Sequence, residues 1–249
     1  MKPQFDDYPK GAQQLMLTAE RLFGKRGVDG VSIRQLLMAA GQRNKSAVQH
    51  YFGSKQGLVE AVYEMRMPAL DRARRQALEV LSTTERGNYK KLLAALFLPL
   101  LSVMDDQALE AYSEFNLRTL HLAERSFFGA AAASPVATDI LKRVQDCFSA
   151  LPIYVFEARI RLAIGVFLDG VGEWRYFSTL EHNPYASHEV FWNDVLQNVI
   201  RVIDAPFPPR IAFPITAAAP AVKRTRAART KSAVAQEEMP AKAARTLRQ

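Results

Sequence analysis

Residues 32–55 read S-I-R-Q-L-L-M-A-A-G-Q-R-N-K-S-A-V-Q-H-Y-F-G-S-K, and this stretch decides the fold. Ile33, Leu36, Leu37 and Ala40 fall at i, i+3, i+4 and i+7, the apolar stripe of a short helix. Ser32 stands just before that stripe, where its hydroxyl can accept from a free backbone N–H and cap the helix. Gly41 follows Ala39 and Ala40 and can end the helix in the left-handed conformation. A second helix is expected from about Arg43 or Asn44, with Val48, Tyr51 and Phe52 turned inward. Gly53 and Ser54 close it, and Ser54 is placed to cap the next helix.

At 100° per residue, Arg43, Ser46 and His50 point away from that inner face, with Ala47 and Gln49 on its flanks. Lys45 falls in the first turn. These residue types suit the DNA major groove, which admits one α-helix and displays base edges that lysine, glutamine and an alanine methyl can each contact. The next helix begins with Lys55, and its free N–H groups would seat a phosphate. Two short helices joined by a glycine also occur as ordinary packing, with a polar outer face that is merely solvated. Spacing alone leaves both readings open.

Further residues extend the pattern on both sides. Leu15, Ala19, Leu22 and Phe23 form a stripe ending in Gly24, Lys25, Arg26 and Gly27, while Leu58 and Val59 follow Lys55. With Val31 to Leu36, the Ala39–Ala40–Gly41 turn and the run His50, Tyr51, Phe52, Gly53, Ser54, Lys55, residues 11–66 resemble the N-terminal domain of the TetR family of transcriptional regulators. The resemblance implies an all-α chain: a three-helix helix-turn-helix DNA-binding domain, then a larger helical ligand-binding and dimerisation domain. It implies a ligand-responsive repressor acting as a homodimer on a palindromic operator in double-stranded DNA. Lys45, Ser46, Ala47, Gln49, His50, Tyr51 and Lys55 would be the recognition contacts, and Ser32 and Arg34 would approach from the preceding helix. One departure is visible: many members carry tyrosine where this chain has Gln49, which should alter the bases read and leave DNA binding itself in place.

The rest of the chain is compatible with that architecture. Its 249 residues are 49% hydrophobic, enough for one extended or two small cores, and strand-like alternation is scarce. Residues 8–56 are read as the DNA-binding domain, 57–204 as the helical ligand-binding and dimerisation domain, and 205–249 as a tail. Helices are expected at 54–81 (kinked or split by Pro68), 84–103, 105–122, 134–150, 154–177 and 187–204, with loops at 129–134 and 182–184. Asp105 and Asp106 read as a helix cap, and the span Gly165 to Gly172 reads as close helix packing. Ile164, Phe167, Leu168 and Val171 form one late apolar stripe, and Val195, Val199, Val202 and Ile203 another. Such stripes can pack inside one subunit. The DNA-reading argument favours a dimer instead, because paired recognition helices double the contact.

Aromatic residues are frequent in the middle region: Tyr112, Phe115, His121, Phe127, Phe128, Trp174 and Tyr176. A pocket lined by them would take an apolar or aromatic effector, oriented by polar residues such as Asn116, Arg118, His121 and Glu173. Candidate ligand residues are therefore Phe115, Asn116, Arg118, His121 and Trp174, against the plainer reading that these aromatics are core.

Charge is concentrated at the C-terminus. Residues 210–249 hold nine Lys or Arg against Glu237 and Glu238, a balance of +7, whereas the remainder is near neutral at +1. This Pro- and Ala-rich tail has no aromatic after Phe213 and is expected to be disordered. It could hold DNA phosphates without regard to sequence, which keeps a sequence-tolerant architectural DNA-binding protein as the alternative. A solvated tail without a role is the plainer reading.

No enzymatic constellation competes. His50, His121, His182 and His188 form no metal spacing, and neither a nucleophile elbow nor a phosphate-binding glycine loop is present, so neither enzyme chemistry nor a cofactor is expected. The single Cys147 fits a reducing compartment and reads as a small buried hydrophobe. The first ten residues hold no apolar run, and 92–104 is too short to span a bilayer; a cytoplasmic protein without membrane partners is expected.

Overall fold

The computed structural model describes residues 3–120 and 134–207, and no strand occurs among them. The helices are α1 (Lys10–Arg26), α2 (Ile33–Ala39), α3 (Ala47–Phe52), α4 (Lys55–Glu64), α5 (Met67–Glu79) and α6 (Tyr89–Phe97). They continue as α7 (Pro99–Val103), α8 (Asp106–Thr119), α9 (Pro135–Asp146), α10 (Ile153–Ser178) and α11 (His188–Ile203). The all-α expectation is met.

Local sequence sets most of the boundaries. Ser32, Ser54, Asn88, Asp105, Ser134 and Ser187 each accept a backbone N–H from the first turn of the helix that follows. The four expected helices from residue 105 to residue 204 are found with ends shifted by a few residues, and residues 182–184 are a loop. Residues 129–133 of the other expected loop lie outside the described residues, as does the basic tail beyond residue 207.

Prolines explain the two breaks. Pro68 sits in the first turn of α5 and splits the 54–81 helix at Met65–Arg66. The expected 84–103 helix is a correction. It is a short 3-10 turn (Glu85–Gly87), then α6, then α7, because Pro99 lacks the N–H that a continuous helix needs and begins α7 instead.

Two apolar cores result. The first gathers Leu15, Phe23, Leu36, Val48, Leu58 and Val62 from α1 to α4, together with Phe115 of α8. The second joins α5 to α11 through residues such as Leu70, Leu93, Leu96, Ile140, Phe156, Phe167 and Val199. A buried polar cluster ties this core together. Ser134 Oγ donates to Asp71 Oδ1 at 2.5 Å, and Arg74 donates from its Nε to Leu96 O and from a terminal nitrogen to Ser134 Oγ.

Three expectations from sequence are corrected here. Phe167, Leu168 and Val171 of α10, and Val195, Val199 and Ile203 of α11, are buried in a core within one chain, with Ile164 and Val202 packed at its margin. Those stripes are thus not free to form an interface. Of the span Gly165 to Gly172, only Gly170 makes a close approach (a Cβ there would lie 3.2 Å from Val195), while Gly165 and Gly172 face open space. Cys147 is exposed, not buried, because it follows the last turn of α9 on the outer side.

Candidate nucleic-acid interface

The reading helices are held by their own caps and turns. Ser32 Oγ accepts from Gln35 N at 3.2 Å while Ser32 N donates to Gln35 Oε1 at 2.8 Å, a reciprocal capping box that fixes the start of α2. Gly41 takes φ +65°, the left-handed turn that redirects the chain after α2. The second helix begins later than the sequence implies. Asn44 Oδ1 accepts from Ser46 N at 2.9 Å, so residues 44–46 form a side-chain-closed turn and α3 runs from Ala47 to Phe52. Gln42 Nε2 donates to Gly11 O at 3.1 Å and pins this turn to the start of α1.

The inner arc of α3 is Ala47, Val48, Tyr51 and Phe52, all buried or half-buried on the first core. Arg43, Lys45, Ser46, Gln49 and His50 are exposed around α3, as are Ser32 and Arg34 at the start of α2. The structure therefore brings these seven polar side chains onto two adjacent segments, one started by a capping box and the other by the Asn44 turn. Such a surface can donate to and accept from base edges while its flanking cations meet phosphates.

Three of the expected contacts are placed otherwise. Ala47 is only 1% exposed, because the inner arc of α3 is two residues wide at each turn and takes Ala47 along with Val48. Tyr51 is half-buried, with its ring 4.9 Å from His50 and 6.1 Å from Phe52. Lys55 turns inward: its Nζ donates to Val28 O at 2.5 Å and lies 5.8 Å from the Phe23 ring centroid. It staples α4 to the α1–α2 loop, so one of its three donors is taken within the fold. Ile33, expected inside, is 40% exposed beside Arg34.

The expected ligand residues do not converge. Phe115 is buried in the first core against Phe23 and Tyr63. Asn116 Nδ2 donates to Tyr112 O one turn back, and Arg118 Nε donates to Gly24 O at 3.3 Å. Trp174 packs on His188 and Phe191, with centroids 4.9 and 5.2 Å away. His121, Phe127 and Phe128 lie outside the described residues. An open cleft of about 350 Å³ is lined by Gly24, Lys25, Glu114, Leu117 and Arg118, mostly charged residues and unlike the aromatic pocket expected.

Sequence reasoning missed the buried ion pairs, Asp71 with Arg74 in the second core and one that joins α1 to the α4–α5 break. Glu20 of α1 accepts from Arg66 Nε at 2.7 Å and from a terminal Arg66 nitrogen at 2.6 Å. Burial pushes the Glu20 carboxyl above the usual carboxylate range, and the hydrogen bonds and charge of Arg66 oppose that shift. The available signal was a glutamate inside the apolar stripe of α1, between Met16 and Phe23.

A capped helix, a glycine turn and a second short helix with an exposed polar face have the form of a helix-turn-helix DNA-binding motif. Residues 15–62 match the model of the bacterial regulatory proteins of the tetR family. The N-terminal part of this chain is thus similar to the DNA-binding region of that family of transcription regulators. No curated protein matches the chain. Among solved structures it is similar to a TetR family transcriptional regulator, PfmR, from Thermus thermophilus, at 14% identity. That likeness covers 76% of this chain and 96% of the other, with a TM-score of 0.44. No helix among the described residues is long and apolar enough to cross a membrane.

Proposed function

We propose that the chain is a ligand-responsive transcriptional repressor that binds a palindromic operator as a homodimer. The observation that carries the reading is the exposed set Arg43, Lys45, Ser46, Gln49 and His50 around a short helix whose other face is sealed in the core. Ser32 and Arg34 at the start of α2 would reach the flanking backbone. A single recognition helix reads few bases, so a two-fold partner supplies the second half-site.

The surface that supports a dimer is not the one the sequence stripes marked. Leu162, Val166 and Tyr176 of α10 remain exposed at 63%, 36% and 59%, spaced along one helix face with Gly165 opening room beside them. An effector that favours one spacing of the two reading heads would weaken operator binding by the factor through which DNA weakens effector binding.

The basic tail favours a second reading, sequence-tolerant coating of DNA, and one experiment separates the two. Binding of the full chain and of residues 1–207 is compared on specific and random duplexes over a salt series. A repressor keeps its preference without the tail and loses only part of its salt dependence. A coating protein loses most of its affinity for every duplex.

A further inference from the structure

The Glu20–Arg66 pair has no part in DNA contact, yet it joins the two places that matter for where the reading helices point. Arg66 occupies the break between α4 and α5, immediately before Pro68, and α4 is the helix that follows the reader. Glu20 lies midway along α1, one turn before Gly24, where α1 rests on α8. A Cβ on Gly24 would lie 2.8 Å from Glu114 Cβ and 2.9 Å from Phe115 N, so the two helix backbones are already in contact there. Arg118 Nε donates to Gly24 O, and Phe115 of α8 enters the first core. The first core and α8 thus meet along α1, and the α4–α5 break is tied to that seam by one bidentate pair.

Hydrophobic contacts at the break are non-directional and would accept a range of angles. A guanidinium fork on a carboxylate fixes both distance and orientation. Here Glu20 is 1% exposed and the side chain of Arg66 18%, so little water competes for the pair. A buried pair of this kind adds little net stability over apolar replacements of similar volume, which makes orientation its distinctive contribution.

We infer that Glu20 and Arg66 are positioning residues: their pair latches the α4–α5 break to α1 and sets the angle at which the reading domain is held on the helices behind it. The inference rests on the DNA-binding reading for its purpose, though not for its geometry.

The test uses the full chain and two readouts. Met38, 75% exposed on α2, is replaced by cysteine, and spin labels are placed there and on the native Cys147, which is also exposed. Labelled protein is diluted with unlabelled protein, so that intrachain distances dominate. The latch is removed by the double substitution Glu20→Leu with Arg66→Met, which leaves no buried charge unpaired. Arg66→Lys, which keeps the charge and loses the fork, is the second variant should the first fail to fold.

With thermal stability retained, the Met38→Cys to Cys147 distance distribution is expected to broaden or shift in either variant. Affinity for a duplex selected by the unmodified chain should fall at least about fivefold, the lower end of ordinary coupling between sites. An unchanged narrow distribution in a folded variant overturns the latch. If the distribution broadens but the unmodified chain prefers no duplex, the latch stands and the DNA-binding reading fails. If the distribution broadens and specific affinity is unchanged, the pair does not position the reader and the inference is overturned.

Discussion

Ala47 and Gln49 stand two residues apart on α3 and should respond to substitution in different ways. Gln49→Ala removes an exposed amide and is expected to cost about 1–3 kcal/mol of specific binding, roughly 5–150-fold, with little change in Tm. Ala47→Leu forces volume into a site that is 1% exposed. It should destabilise the fold by about 1–3 kcal/mol, seen in thermal denaturation, and leave the preferred bases unchanged among molecules that remain folded. Spacing rules gave Gln49 its outward place correctly and misplaced Ala47, since a helical wheel shows direction but not how wide an arc the neighbours will cover. The inward turn of Lys55 is illegible for a similar reason: its distant partner, Val28 O, is invisible in local sequence. Glu20 supplies a pH test. Its carboxyl is held above its ordinary value of 4.5, so the folded state keeps the proton more tightly than the unfolded chain. That contribution to stability is full below the unfolded value and is lost as pH rises through the raised folded value. Chemical denaturation at stepped pH should show Glu20→Gln gaining stability relative to the unmodified chain as pH rises from about 4.5. A gap that does not change with pH would mean the carboxyl titrates alike in both states.

At the scale of elements, α1 and α8 approach closely enough at Gly24 to leave no room for a side chain. Gly24→Ala would press a methyl onto the backbone of α8, and it is expected to destabilise by about 1–3 kcal/mol. Gly87→Ala is the control, because a Cβ there meets nothing within 4 Å, and its melting temperature should stay near that of the unmodified chain. The helices themselves were largely legible. Caps at Ser32, Ser54 and Asp105, the turn at Gly41 and the split near Pro68 follow from short-range chemistry that a sequence displays openly. The break at Pro99 is equally visible in sequence, but the apolar run around it has the length and pattern of one continuous helix. Asn44 delayed the start of α3 by closing a turn with its side chain, a competition between side chain and helix that periodicity cannot weigh. The effector residues were the least legible. Aromatic and polar side chains of the middle region suggest one pocket in sequence, whereas Phe115 faces the first core and Trp174 the α10–α11 pair.

For the whole molecule, the late apolar stripes illustrate the limit of pattern alone. They marked buried faces correctly, but intrachain and intersubunit burial look the same in a sequence, and α10 and α11 consume them internally. The face left over, Leu162, Val166 and Tyr176, carries the dimer proposal. Leu162→Glu with Val166→Glu should shift sedimentation toward the monomer and lower operator affinity, while the helical signal is retained. A dimer that survives both charges would place the interface elsewhere. The central claim, that paired copies of α3 read DNA sequence, is tested most directly by selecting bound duplexes from a random pool with the full chain at physiological salt. The account predicts a palindrome whose half-sites are about one helical turn, or a multiple of it, apart. Recovery of no enriched motif, or of one lacking two-fold symmetry, would contradict it.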